Sequence, residues 1–270
     1  MGRPGRLGPG RRSRQPVRRG RLPPGRLSRP GREGRAGIDR GRLFGRGAQR
    51  SRPGGRGVPV SGPVDGWVDL GLETEFPGLS LAVRECDGPV RFDPGVQERL
   101  AAIASRIRGR TAIELRREPV PAAYRAFYRQ VGLDPDVEMT PVEAAVGRRL
   151  FDGGVRTPGP LTDALELAVL ETCIPVYALD PGALDGPPGI RPARPGEQLV
   201  DADGARRGSP GRLVIADAAG ALCWLFGEPH GRGAPGPSTA PILLAAVAVP
   251  GIPPMGVDEA LDIAAGALGA

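Results

Sequence analysis

The sequence predicts an α+β protein, and three observations carry that reading. Helical periodicity is concentrated between residues 93 and 172. A succession of short apolar, β-branched runs follows between residues 174 and 249. The two kinds of element do not alternate, which argues against a doubly wound parallel sheet.

The elements follow in order. "LSLAVRE" (79–85) alternates like a strand. In "DPGVQERLAAIASRIRGR", Asp93 can cap a helix with Pro94 in its first position. Val96, Leu100, Ile103 and Ile107 fall on one face, and Gly109 is expected to stop it. A second helix, "PAAYRAFYRQVG", carries the stripe Tyr124, Phe127, Tyr128 and Val131. Arg125 and Arg129 are expected to face another way, and Gly132 closes the helix. Thr140 and Glu143 have capping-box spacing at the head of a third helix. A fourth, "GPLTDALELAVLETC", turns Leu161, Leu165, Ala168 and Val169 inward. "IPVYALD", "GIRPA", "EQLV", "RLVIAD", "ALCWLF" and "ILLAAVAV" read as strands, with turns at Asp203-Gly204 and Ala219-Gly220. A last helix is expected over 257–268, with Asp258 and Glu259 in its first turn favouring the dipole.

Charge divides the chain in two. All 37 basic residues are arginine, and 18 of them lie in residues 1–57 beside only two acids, Glu33 and Asp39. This Arg/Gly/Pro-rich tail lacks the apolar content to fold alone. Three readings stand: a translated GC-rich stretch upstream of a true start near 58–68, inert disorder, or a nucleic-acid arm. Residues 58–270 are expected to form one domain with a formal charge of −9, so basicity there does not argue for nucleic acid. No signal peptide is apparent, and "ILLAAVAV" is too short to span a bilayer. Three scattered cysteines (Cys86, Cys173, Cys223) suit a reducing, cytoplasmic setting.

The stretch "CWLFGEPHGRGAPGPST" spells G-x-G-x-x-G at Gly231, Gly233 and Gly236. Prolines interrupt it and a strand follows, so a dinucleotide loop is rejected, and without lysine there is no Walker loop. His230 is the only histidine, and no metal set surrounds it. A Ser–His or Cys–His pair using Ser238, Thr239 or Cys223 remains open beside a plain loop histidine. Glu143 reads most simply as a cap. Asp163 and Glu166, three apart on one helix, read first as a solvated acidic face and otherwise as a pair held by a cation or water. Glu228 follows a strand end, where a carboxylate can enter a cleft.

The order of segments resembles the B3/B4 domain proteins, which are similar to the B3/B4 module of the phenylalanyl-tRNA synthetase beta subunit but stand apart from the rest of that enzyme. The resemblance rests on "FPGLSLAVRE", "AAYRAFYRQVGLDPDVEMTPVEAAVGRR", "PLTDALELAVLETCIPVYALD", "GIRPARPGEQLVDADG" and "GRLVIADAAG", spanning roughly residues 76–268. It implies a three-layer α+β domain with a β-sandwich of unusual topology. It also implies a tRNA or aminoacyl-tRNA partner, no cofactor and no metal, and an editing pocket that hydrolyses mischarged tRNA. Candidates for catalysis are Glu166, Glu228 and His230. Candidates for substrate binding are Tyr124, Arg125, Glu143, Arg148, Asp163 and Glu197. The chain departs from the family pattern at Glu166, where relatives often carry Asn, and at "LFGEPHGRGAPGPST", where they often carry a polar segment. The alternative is a non-catalytic module that uses the same fold for a small ligand or a protein.

Overall fold

The computed structural model describes residues 62–107, 109–151 and 159–269, so the Arg-rich tail of the first 57 residues lies outside the described residues. The described chain opens with β1 (Val64–Asp65) and β2 (Trp67–Val68), which belong to different sheets. Gly66 makes the passage between them, because a Cβ there would stand 2.7 Å from the Pro188 carbonyl oxygen. Then come α1 (Leu70–Glu75), β3 (Ser80–Cys86), α2 (Pro94–Arg106), α3 (Gly109–Leu115), α4 (Pro119–Gln130), α5 (Pro141–Phe151) and α6 (Pro160–Thr172). The strand-rich half holds β4 (Val176–Leu179), β5 (Gly189–Pro192), β6 (Leu199–Val200), β7 (Arg206–Arg207), β8 (Leu213–Ala216), β9 (Ala221–Trp224) and β10 (Ile242–Ala248), before α7 (Pro254–Leu268). No helix among the described residues is long and apolar enough to cross a membrane.

One antiparallel sheet has the order β1-β3-β10-β4. A second has the order β2-β5-β8-β9, with β2 parallel to β5, and β6-β7 form a separate hairpin. Register assigns the faces of the first sheet. Arg84 on β3 is ion-paired with Asp262 on α7, so its face, with the cross-strand partners Leu244 and Ala178, looks toward the helices. The alternate set, Leu81, Val83, Leu243, Ala245, Val247, Tyr177 and Leu179, looks toward the second sheet. Every residue of β10 is buried, as a strand covered on both faces must be. The result is helices, sheet, sheet: the α+β layering expected from the sequence, around a single large core.

Three local expectations are corrected. Gly109 does not stop α2 but opens α3. The earlier helix ends because Ile107 turns to extended backbone and buries itself with Val142, Ala145, Val146 and Val169. Helix α7 starts at Pro254, where a proline loses no hydrogen bond, so Asp258 and Glu259 fall beyond its first turn. Asp163 and Glu166 are not a solvated face, since α6 packs against α2, α5, α7 and β4 and leaves them 1% and 7% exposed. Arg125 is buried, held by ion pairs to Glu143 and Asp136.

Candidate functional site

A partly open cavity of about 310 Å³ lies among α5, α6, β4 and the loop after β9. Its size lies at the small end of ligand sites. A larger groove of about 480 Å³ between the start of α2 and the end of α7 is open to solvent and lies away from the candidate residues.

The loop reaches the cavity through Phe226, whose backbone is left-handed (φ 69°). Its ring stacks on Tyr128 at 5.0 Å and stands edge-on to Tyr124 and Phe127. That anchor turns the next residues outward, so Glu228 and Pro229 form one wall. Arg148 and Glu166 also line the cavity. Arg149 and Glu166 make a buried ion pair, and Arg148 Nε is 3.7 Å from Glu166 Oε1. Glu166 thus sits between two guanidinium groups.

Tyr177, which sequence reasoning did not single out, also lines the cavity. It is 5% exposed and its hydroxyl has no hydrogen-bond partner. Burial pushes its pKa well above the usual phenol value, so it stays neutral and able to donate. Nothing in the alternation of "IPVYALD" separates this hydroxyl from a core tyrosine; only the fold does.

The remaining candidates lie elsewhere. Tyr124 is in the core. Pro175 has no N–H to give the Val247 carbonyl, and the Tyr124 hydroxyl donates to it instead at 2.6 Å. Arg125 donates to Glu143 at 2.7 Å and to Asp136 at 2.5 Å. Glu143 also accepts from the backbone N–H and the hydroxyl of Thr140, which makes it the cap of α5. Asp163 accepts from Gln97 at 2.7 Å, and burial raises its pKa against that bond. Glu197 holds Arg191 through both oxygens and accepts from the backbone of Arg194 and Ala221. His230 lies outside the cavity wall, with no hydrogen bond to Ser238, Thr239 or Cys223 among the described residues. The Cys223 thiol is pushed up to about 12 by burial, which removes it as a nucleophile at neutral pH. The glycine-rich stretch is a loop whose Arg232 grips Asp217 through both nitrogens, and β10 follows it rather than a helix. No cluster of metal-ligating side chains occurs among the described residues.

The class that emerges is an α+β domain with two stacked sheets and a cavity at the edge of one of them. Residues 123–232, about two fifths of the chain, match the family model of the B3/4 domain. The matched span includes every cavity residue except Ala234 and Pro235. Among characterised proteins, the chain is similar to the phenylalanine–tRNA ligase beta subunit of Xanthomonas euvesicatoria pv. vesicatoria (strain 85-10). The identity is 44% over 73 residues, covering 27% of this chain and 9% of that one. It is 40% identical over 99 residues to the beta subunit of Xanthomonas axonopodis pv. citri (strain 306), covering 36% and 12%. The chain therefore corresponds to about a tenth of the length of these relatives.

Proposed function

We propose that this B3/4 domain acts on tRNA, and that its cavity receives the amino-acid end of an aminoacyl-tRNA and hydrolyses the ester of a mischarged one. The observation that carries this reading is the cavity itself. It is sized for one small group, falls almost wholly within the B3/4 match, and is lined by Glu228, Arg148, Glu166 and an unpartnered tyrosine hydroxyl, with Arg149 paired to Glu166 behind it. In this reading Glu228, at the exposed rim, orients a water and takes its proton as the water oxygen attacks the ester carbon. The bond to the ribose oxygen breaks, and the proton passes to that leaving oxygen. Arg148, half exposed at the mouth, faces the terminal ribose or phosphate. Glu166 keeps Arg149 in place rather than acting as the base, because its second oxygen is already taken by that ion pair.

A second reading, a module that binds a small ligand without catalysis, is favoured by one observation. Arg125, Arg149 and Arg191 are all consumed in buried ion pairs, leaving fewer arginines to face a polyanion. The test is to incubate the full chain with a panel of tRNAs charged with cognate and non-cognate amino acids. Release of a non-cognate amino acid, reduced about 100-fold or more in Glu228→Ala, supports the hydrolase. Intact esters throughout, together with saturable binding of a free amino acid, support the binder instead.

A further inference from the structure

The cavity has a wall made of backbone. Strand β4 is the last strand of its sheet and pairs only with β10. The Val247 N–H donates to the Pro175 carbonyl, which fixes the alternation. Tyr177 and Leu179 exchange bonds with Ala245 and Leu243, and the N–H and C=O groups of Val176 and Ala178 point away from β10. Both residues line the cavity, both are buried, and no partner meets these backbone groups among the described residues. Buried backbone donors and acceptors are rarely left without partners.

The same edge is covered one step further along, where the Asp180 N–H donates to the Gly233 carbonyl at 2.9 Å. A strand residue continuing from there would sit opposite Ala178. The chain supplies Ala234 and Pro235 at the cavity wall instead, and Pro235 has no N–H to give. The edge strand is therefore left one pairing position short, and that position opens into the cavity.

We propose that the main chain of the bound amino acid fills this position. Its carbonyl oxygen accepts from the Ala178 N–H and its α-ammonium donates to the Ala178 C=O, in the manner of a hydrogen-bonded residue pair in an antiparallel sheet. This rests on the reading of the cavity as the site for an aminoacyl group, and it makes the ligand class an α-amino acid bearing a free amino group. A strand residue presents its N–H and C=O on the same side, about the spacing at which an amino acid carries its ammonium and carbonyl. The carbonyl that receives the N–H is the ester carbonyl of a charged tRNA, so the same N–H meets the oxyanion that develops during hydrolysis. The unpartnered Tyr177 hydroxyl then stands beside the ligand.

The experiment uses the full chain and L-amino-acid amides, which keep both groups and do not hydrolyse. The tightest amide in a calorimetric titration is compared with its des-amino counterpart, and Ala178→Pro is titrated beside the wild type. The Ala178 N–H takes no part in the ladder to β10, so proline there leaves the pairing intact. Expected are a loss of at least about tenfold for the des-amino compound and a similar loss for Ala178→Pro. The Ala178 amide should also exchange more slowly with solvent when the amide ligand is bound. If Ala178→Pro does not fold, the des-amino comparison and the exchange measurement on the wild type decide. Equal binding of the amide and its des-amino counterpart, or an Ala178 amide unprotected at saturation, overturns the proposal while leaving the cavity reading intact. If no amide binds and no mischarged tRNA is hydrolysed, the cavity reading fails and this proposal fails with it.

Discussion

Glu166 and Arg149 show how much a buried charge depends on its partner, since their side chains are 6% and 3% exposed. Arg149→Ala should destabilise the domain by about 3–5 kcal/mol in denaturant titrations. The double change Arg149→Met with Glu166→Leu should recover most of that. Glu197 makes a statement about pH. The Arg191 hydrogen bonds, helped by the backbone N–H groups of Arg194 and Ala221, outweigh burial and hold it down at about 2. A carboxylate lowered in the fold contributes stability that is complete above its unfolded value of about 4.3 and is lost as pH falls toward 2. Glu197→Gln should therefore cost about 2 kcal/mol at neutral pH, a partly exposed pair falling below the fully buried range. It should also flatten the unfolding profile between pH 5 and 2; a variant with the wild-type acid limb would contradict this assignment. Tyr177 behaves in the opposite way. Its hydroxyl is buried without a partner, so Tyr177→Phe should leave the unfolding midpoint unchanged or raise stability by up to about 1 kcal/mol. The same variant should change which amino acids bind. A marked loss of stability would mean that the hydroxyl serves the fold rather than the ligand.

At the scale of elements, periodicity exposed the major helices and strands because each presents a continuous apolar face. The alternation of 79–85 and the stripes at Val96–Leu100 and Tyr124–Phe127–Tyr128 became buried surface. Shorter features were hidden. Strands β1 and β2 have two residues each and exist through pairing with distant partners, which no local pattern encodes. The ends of α2 and α7 moved because the burial of Ile107 and the tolerance of Pro254 at a first helical position outweighed glycine and acid signals. The position of Glu228 after a strand was legible, and so, away from the cavity, was Glu143 as a cap. The free edge of β4 was not, because strand order depends on the whole chain. The packing of β10 offers a separate check. Ala246 is fully buried on the face turned toward the helices. Ala246→Leu should cost about 1–3 kcal/mol by overpacking; wild-type stability would show that this layer is loosely packed.

For the whole molecule, the charge asymmetry between the first 57 residues and the rest has a structural counterpart. Within the described residues much of the arginine is spent on holding acids: Glu143, Glu166, Glu197 and Asp217 are each gripped by at least one guanidinium. The arginine content therefore reports internal architecture as much as affinity for a polyanion, and the cavity, rather than a basic face, is the functional centre of the account. That claim is tested most directly by filling the cavity. Ala144 lines it from the half-buried face of α5. Single-turnover deacylation of mischarged tRNA should be compared between the full wild-type chain and Ala144→Trp. Ala144→Trp should lose about 100-fold or more with a near-unchanged unfolding midpoint. Equal rates in the two proteins would contradict it and place the chemistry elsewhere.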